Sequence, residues 1–495
     1  MLKKIATLAA LGLGAFTFYA CDSLLDTEPR QSISPEVALN DITGIRGIAA
    51  SAYNRLISTT AYTNTRIAAP EVLADNGVQN PTNNPSGRYV SEAINAVGTG
   101  VGGWGLYYPM INDTNYIITA IDGVDAPENE RNRIKGEMLF LRALAYHDLA
   151  KSYGYEPGRE INGWNHSVII RTTPTLVVED AQTARARASN VEVYEQIERD
   201  LLQSIQLLDQ FGSTNRFLGN RAAAEALLAR VYLYWGRYAD AAEFATRAMD
   251  RPLGAALATA AQAPTIFNST NTAPNREAFF EVRITSNDFG GAVNNSLSAL
   301  FTPAQWFDIV PSEELIAIYD SSRDVRLRAD NEGRVTGWYS NRRELANGNL
   351  VPAQTHTLKF NQTVEGAGSF IDNTPVLRFA EALLNRAEAF ARLGQDANAL
   401  ADLNLLRTNR GLLAVDLSGF ELLEEILVER RRELAFEGHR WFDLKRLNRS
   451  LEKPEASGVG IIPSDDFRWL SAVPTSQVVA SNGVILQNPG YAAED

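Results

Sequence analysis

The sequence predicts a mostly α-helical fold with an irregular, loop-rich insert that holds a few short strands. Apolar residues recur at helical spacing before residue 250 and again after about residue 375. Between 252 and 375, Pro, Asn, Thr and Gly interrupt the pattern, so only short extended pieces such as 278–284 are predicted. With 45% hydrophobic and 21% charged residues, the chain has the composition of a globular protein.

The first predicted helices cover residues 35–58, 107–121 and 132–151, and a further helical block covers 190–250. Ile134, Met138 and Leu141 keep helical spacing in the third of these helices. Ser189, with Glu192 three residues later, has the pattern of a capping box at the start of the block. Residues 75–105 are rich in Asn, Pro and Gly and are predicted to form a loop.

Two segments are predicted to form antiparallel helix pairs. In the first, Gly236 separates a helix that ends near Trp235 from one with Ala241, Ala245 and Ala248 on one face. Small side chains on that face allow close packing, and the pattern is similar to a tetratricopeptide repeat. A degenerate second copy is predicted over 380–406, with its turn at Gly394.

The segment 429–446 has an unusual density of charges of both signs among large apolar residues. Arg430 falls on an apolar helical stripe, where an unpaired charge would be costly. Glu433, one turn further on, is its expected partner. We interpret the segment as a structural ion network rather than a catalytic site.

The amino terminus has the pattern of a lipoprotein export signal. Lys3 and Lys4 precede an uncharged stretch, residues 5–20, that is too short for a confident membrane-spanning helix. Cys21 is the single cysteine of the chain and follows this stretch directly. We therefore predict a signal peptide over 1–20, lipidation of Cys21, and a flexible tether over 21–35. Phe18 stands where the usual lipoprotein signal has Leu.

Several segments together resemble the SusD/RagB family of surface nutrient-binding lipoproteins. They are the segment 429–446, the helix from Gly136 to Ala143 that leads to Tyr153-Gly154, the stretch 377–389, and the tail 487–491. These segments follow the family order and cover nearly the whole mature chain. The resemblance implies a SusD-like helical region with tetratricopeptide-like repeats over 36–250 and a SusD/RagB region over 251–495.

The resemblance also implies a function and a partner. Members capture oligosaccharides without catalysis and deliver them to a SusC-like TonB-dependent transporter in the outer membrane, where the lipid anchors them at the surface. A RagB-like peptide ligand is the alternative within the family. A glycoside hydrolase and a helical-repeat scaffold are the alternatives outside it.

Composition and motifs weigh against several other classes of protein. The formal net charge of −13 disfavours binding to nucleic-acid phosphates. No P-loop, G-x-S-x-G or H-E-x-x-H motif occurs, and the four His are scattered, so neither a metal site nor a cofactor is expected. Residues 98–103 match G-x-G-x-x-G but lack a surrounding βαβ pattern.

Aromatic residues outside the core stripes are the best candidates for a sugar site, because flat rings stack on the apolar faces of sugars. The candidate ligand-binding residues are Trp104, Tyr108, Asn83, Arg88, Trp306, Trp338 and Tyr339. Trp104 is the first choice, since the preceding glycine run is expected to hold it away from the core. On that hypothesis, replacing Trp104 with Ala would weaken ligand binding and leave the melting temperature nearly unchanged.

The lipid anchor is tested by Cys21→Ser. The variant should lose acyl labelling and leave the membrane fraction, because no thiol would remain for acylation. Metabolic labelling with a fatty acid and fractionation of cells measure both effects. Unchanged retention in the membrane fraction would contradict the assignment of Cys21.

Overall fold

The structure is a computed structural model that describes residues 39–491, apart from 83, 85, 177–182, 212–214, 251–254, 269–273, 286–287, 289–295, 304–305, 345–349 and 362–371. Helices predominate in it, as the sequence predicts. In chain order they are α1 Ile42–Asn54, α2 Thr65–Leu73, α3 Val90–Ala93, α4 Trp104–Ala120, α5 Glu128–Tyr153, α6 Asn190–Leu208, α7 Arg221–Trp235, α8 Tyr238–Met249, α9 Leu297–Phe301, α10 Glu313–Ala317, α11 Phe379–Arg392, α12 Asp396–Thr408, α13 Gly419–Leu434, α14 Arg440–Arg446 and α15 Thr475–Ala480.

The long helices begin and pack as their sequence patterns indicate. The Ser189 side chain accepts from the Glu192 amide, and the Glu192 carboxylate accepts from the Ser189 amide at 2.8 Å, which confirms the capping box of α6. Helix α5 is central, since it packs against both α4 and α6. It is buried along most of its length, so it lacks the polar outer face of a surface helix.

The two predicted helix pairs are both present. Helices α7 and α8 turn at Gly236, and α11 and α12 turn at Gly394; both glycines have positive φ, +78° and +70°. This conformation suits Gly at the end of a helix because it has no Cβ. Helix α8 packs against α11, so the two pairs form one continuous stack despite their separation in sequence.

The strands are short and antiparallel. They are β1 Gly77–Gln79, β2 Ala278–Val282, β3 Ile309–Pro311, β4 Leu327–Ala329, β5 Val335–Gly337, β6 Tyr339–Glu344, β7 Leu350–Thr357, β8 Thr374–Arg378, β9 Leu451–Glu452 and β10 Ile461–Ile462. They pair as β1–β3, β2–β8, β4–β5, β6–β7 and β9–β10. The β2–β8 ladder closes the loop-rich insert and leads directly into α11, and β2 confirms the strand predicted near residue 278.

The prediction of a loop over 75–105 is wrong in part. Strand β1 and helix α3 lie inside this range, and α4 begins at Trp104, three residues before the predicted start. Strand β1 was missed because its partner β3 lies more than 200 residues away in sequence, and such pairing leaves little local signal.

Buried ion pairs centred on Glu433 join α13 to the insert. Its carboxylate accepts from Arg378 at 2.7 Å, from Arg410 at 2.8 and 3.0 Å, and from Arg326 at 2.8 Å. Burial alone would raise the pKa of Glu433, but the charges of Arg410 and Arg378 outweigh it and hold that pKa well below its usual range. Glu277, just before β2, also pairs with Arg378 and Arg410, at 3.0 and 2.8 Å.

The expected pair between Arg430 and Glu433 is wrong. The Arg430 guanidinium donates to Asp443 at 2.8 Å and to Asn385 at 2.7 Å, whereas Glu433 serves the three arginines described above. Neighbours one turn apart can meet on a straight helix. Here the chain turns after α13, and Asp443 on α14 pairs with Arg430 instead. The interpretation of the segment as an ion network holds, with different partners.

None of the helices that the structure describes is long and apolar enough to cross a membrane.

We expect Glu433→Gln to destabilise the fold strongly. The substitution keeps the size of the side chain but removes the negative charge that three buried guanidinium groups share. Breaking a buried pair by neutralising one partner costs about 3–5 kcal/mol. Denaturant unfolding measures the loss, with Glu332→Gln as the matched control, because Glu332 is exposed and its one ion pair among the described residues is with exposed Arg334. Equal stability of both variants would contradict a central role for Glu433.

Candidate functional site

Trp338 and Tyr339 lie in the core, so the hypothesis that they stack on a ligand is wrong. Trp338 is 1% exposed and its indole nitrogen donates to the Ala263 carbonyl at 2.6 Å. Lys359 Nζ lies 4.5 Å from the centre of its ring. The Tyr339 hydroxyl is within 3.1 Å of the Tyr319 hydroxyl. Short strands in an irregular segment suggested surface rings, but the Trp338 ring packs against two buried cations, Lys359 and Arg410.

Arg88 and Trp306 lie at the same end of the β1–β3 pair. The Gln79 side chain donates to the Arg88 carbonyl at 3.1 Å, and the Asn80 side chain donates to the Phe307 carbonyl at 2.9 Å. These bonds hold the loop after β1 against the residues before β3. Trp306 is half-buried there. Asn83, on the same loop, lies outside the described residues.

Trp104 and Tyr108 lie elsewhere, on the first two turns of α4. Trp104 is 5% exposed, with its ring centre 4.9 Å from that of Tyr108 and 5.1 Å from that of Tyr153. The expectation that the glycine run holds Trp104 away from the core is therefore wrong. Gly103, which directly precedes α4, has a φ of +109° and lies close to the Tyr107 ring. A Cβ at this position would lie only 2.7 Å from that ring.

A cavity of about 720 Å³ opens beside these two rings. Its walls come from α4, from the segments 169–175 and 183–185, and from α15 with the residues after it. Polar groups of several kinds line it together with the aromatic rings. They are Asn112, Asn115, Arg171, Thr175, Thr183, Arg185, Gln477 and Ser481.

Side chains of α4 fix one wall of the cavity. The Tyr108 hydroxyl accepts from the Ile169 amide at 2.7 Å and donates to the Ile169 carbonyl at 3.0 Å. The Asn112 carbonyl oxygen accepts from the Thr175 amide at 2.8 Å, and the Asn115 amide donates to the Arg171 carbonyl at 3.0 Å. The segment 169–175 forms neither a helix nor a strand. Side chains of α4 therefore supply hydrogen-bond partners for several of its backbone groups.

The structure brings together Trp104 and Tyr108 but not Arg88, which does not line this cavity in the described part of the chain. The candidates predicted from the sequence did not include Asn112, Asn115, Arg171, Arg185 and Gln477. A signal for two of them was present, because Tyr108, Asn112 and Asn115 have spacings of four and three and share one helix face. The two arginines and Gln477 reach the cavity through tertiary packing and left no local pattern.

No group of three or more His, Cys, Asp and Glu side chains is placed to hold a metal ion in the part of the chain that the structure describes.

Two family models match this chain. The model of the SusD family matches residues 319–491, and one described as starch-binding and associating with the outer membrane matches residues 23–233. The chain belongs to the SusD/RagB family. This SusD-like family is one of carbohydrate-binding proteins, and the description of the second model associates it with the outer membrane.

Individual relatives agree with this assignment. SusD-like protein P2 of Formosa agariphila is 26% identical over 421 residues, which cover 78% of this chain and 80% of the relative. A SusD superfamily protein from Bacteroides vulgatus superposes with a TM-score of 0.76 at 22% identity, over 92% of this chain and all of that one. A laminarin-binding SusD-like protein superposes with a TM-score of 0.68 at 22% identity, over 91% and 100% of the two chains. The two structures show that the fold is shared.

The burial of Trp104 changes the expected effect of its replacement. We now expect Trp104→Ala to lower the free energy of unfolding by about 3–5 kcal/mol, the usual cost of removing a buried Trp side chain. Chemical denaturation measures it, with Trp306→Ala as the control because Trp306 is only half-buried. An unchanged stability of Trp104→Ala would show that the ring is not part of the core.

Proposed function

We propose that this protein is a lipid-anchored outer-membrane protein that captures oligosaccharides without hydrolysing them and delivers them to a partner TonB-dependent transporter. The main support, in a chain of the SusD/RagB family, is the cavity beside Trp104 and Tyr108. It combines an aromatic wall with amide, hydroxyl and guanidinium groups. That combination suits a sugar, which presents apolar C–H faces and a ring of hydroxyl groups.

The size and rigidity of the cavity support the same function. A volume of about 720 Å³ lies within the usual range for small-ligand sites, roughly 300–1,000 Å³. Because the wall 169–175 is bonded to α4 through Tyr108, Asn112 and Asn115, little ordering is needed when a ligand binds. The laminarin-binding relative shows that a protein of this fold binds a glycan.

A binding role without hydrolysis is favoured by the residues that line the cavity. Glycoside hydrolysis ordinarily uses two carboxyl groups on either side of the scissile bond. The described residues that line the cavity include neither Asp nor Glu. Buried carboxylates such as Glu433, Glu381 and Asp148 are instead held by arginines of the scaffold.

Family membership and the predicted anchor both support delivery to a transporter. Lipid on Cys21 would keep the protein at the membrane, and the tether 21–35 would let the domain move relative to it. Co-purification of a TonB-dependent transporter with the full-length protein from its native membrane would support this step.

Binding and turnover are tested with purified protein and a panel of oligosaccharides. Calorimetric titration should show binding of at least one glycan, and chromatography of the same mixture should show no product. Gln477→Ala should weaken that binding by about 0.5–1.5 kcal/mol, the net value of one neutral hydrogen bond. Its melting temperature should not change, because the Gln477 side chain is exposed.

The control is Gln206→Ala, which removes an exposed amide from α6, away from the cavity. Binding of peptides but of no glycan would favour the RagB-like alternative. Product formation that is lost when one carboxylate is replaced would show a hydrolase. Equal affinities of wild type and Gln477→Ala would place the ligand outside this cavity.

A further inference from the structure

A small polar pocket lies where several distant parts of the chain meet. Its walls come from residues around the start of α2, from α5 and α7, from the middle of β8, and from the turn between α13 and α14. All of these wall residues are among those that the structure describes, and none of them lines the cavity beside Trp104 and Tyr108. The volume of the pocket is about 20 Å³. Since roughly 10–15 Å³ suffices for a water molecule, the pocket has room for one water molecule or one small ion.

Two buried cations of this pocket, Arg66 and Lys151, share a single carboxylate. Asp148 accepts from Arg66 at 2.6 Å and lies 3.2 Å from the Lys151 nitrogen. The same carboxylate accepts from the hydroxyl groups of Tyr62 and Tyr107, at 2.7 and 2.8 Å. Arg66 is 3% exposed and Lys151 is 5% exposed, so bulk water hydrates neither charge well. One negative charge therefore serves two buried positive charges.

Two further carboxylates near the pocket already have cationic partners. Both oxygens of Glu381 accept from Arg230, each at 2.6 Å. Glu437 lines the pocket, but its oxygens accept from Lys359 at 2.5 Å and from Arg378 at 2.6 and 2.8 Å. Neither of these carboxylates is therefore available to the lysine that shares Asp148.

Lys151 and Arg230 line the pocket and keep N–H groups without an acceptor in the described part of the chain. An ammonium group has three N–H groups, and Asp148 is the one hydrogen-bond acceptor that Lys151 has among the described residues. Arg230 donates through Nε and Nη2 to Glu381 and to the Val376 carbonyl, whereas its Nη1 makes no hydrogen bond to a described residue. Both side chains are almost fully buried, and a buried donor without an acceptor is costly.

The charges around the pocket also favour a bound anion. Burial lowers the pKa of His439, which lines the pocket, well below its usual value, and the positive charge of Arg230 lowers that pKa further. Burial likewise lowers the pKa of Lys151 to about 7, with the charge of Arg66 acting in the same direction and that of Asp148 opposing it. A negative charge in the pocket would stabilise the protonated form of Lys151.

We propose that this pocket binds one chloride ion, which accepts hydrogen bonds from Lys151 and Arg230. A chloride ion supplies both the acceptor that these N–H groups lack and a second negative charge beside Asp148. The pocket is too small for a phosphate, a sulfate or a sugar. The chloride site does not depend on the proposed glycan-binding function. It would fix the end of α5, where Tyr153 packs against Trp104.

Bromide tests the site directly, because it replaces chloride and scatters X-rays anomalously at its absorption edge. Crystals of the mature protein grown with sodium bromide in place of sodium chloride should give an anomalous difference peak in the pocket. The peak should lie within roughly 3.5 Å of the Lys151 nitrogen and of Arg230 Nη1. Density without an anomalous peak would identify a water molecule, and either that result or an absence of density would overturn the proposal.

Thermal unfolding tests whether the ion stabilises the fold. At about pH 6, below the pKa of Lys151, the ammonium group carries its charge. Replacement of sodium gluconate by sodium chloride at constant ionic strength should then raise the melting temperature in a saturable manner, by about 1–2 °C. Gluconate is the reference anion because it is too large for the pocket. Equal melting temperatures in the two salts would overturn the proposal.

Two variants assign the effect to this pocket. Lys151→Met removes the ammonium group, and His439→Glu places a carboxylate at the pocket in place of the anion. Each should lose the chloride-dependent rise while circular dichroism shows a folded protein, and His439→Glu provides the test if Lys151→Met does not fold. Arg328→Gln, the control, removes an exposed charge on β4 and should keep the rise. A full chloride-dependent rise in the folded pocket variants would overturn the assignment.

Discussion

The fold depends on the carboxylate of Glu433, which joins three guanidinium groups from distant parts of the sequence. Arg326 comes from the insert, Arg378 from the end of β8 and Arg410 from the end of the second helix pair. Each group is almost fully buried, so none is stable there without the others. The irregular insert, which has little secondary structure of its own, is thereby fixed to the helical stack.

The segment that contains Glu433 also supports one wall of the cavity indirectly, through α14. Lys445 donates to the carbonyls of Lys151 and Gly154 at 2.7 and 2.6 Å and pairs with Glu156 at 3.1 Å. These bonds hold the end of α5, where Tyr153 packs against Trp104. The residues that resemble the family signature therefore do not touch the candidate ligand site. They position the residues on which its aromatic wall is built.

This arrangement explains what the sequence could and could not predict. Helices with regular apolar spacing and the capping box at Ser189 were predictable because their signals are local. The partner of Arg430 was not, because Asp443 lies on the next helix, α14, and reaches Arg430 only through the turn between the two helices. The placement of Trp338 in the core was missed for the same reason, since the network that surrounds its ring is assembled from residues far apart in sequence.

Two kinds of arginine thus have different roles in this chain. Those of the scaffold are neutralised by carboxylates, so neither partner can change without a large loss of stability. Near the cavity, Arg187 is instead held by backbone carbonyls, and Arg185 is exposed to solvent. Because the scaffold arginines are neutralised internally, exposed residues at the cavity such as Gln477 and Arg185 can vary with little effect on folding, whereas the buried Trp104 cannot.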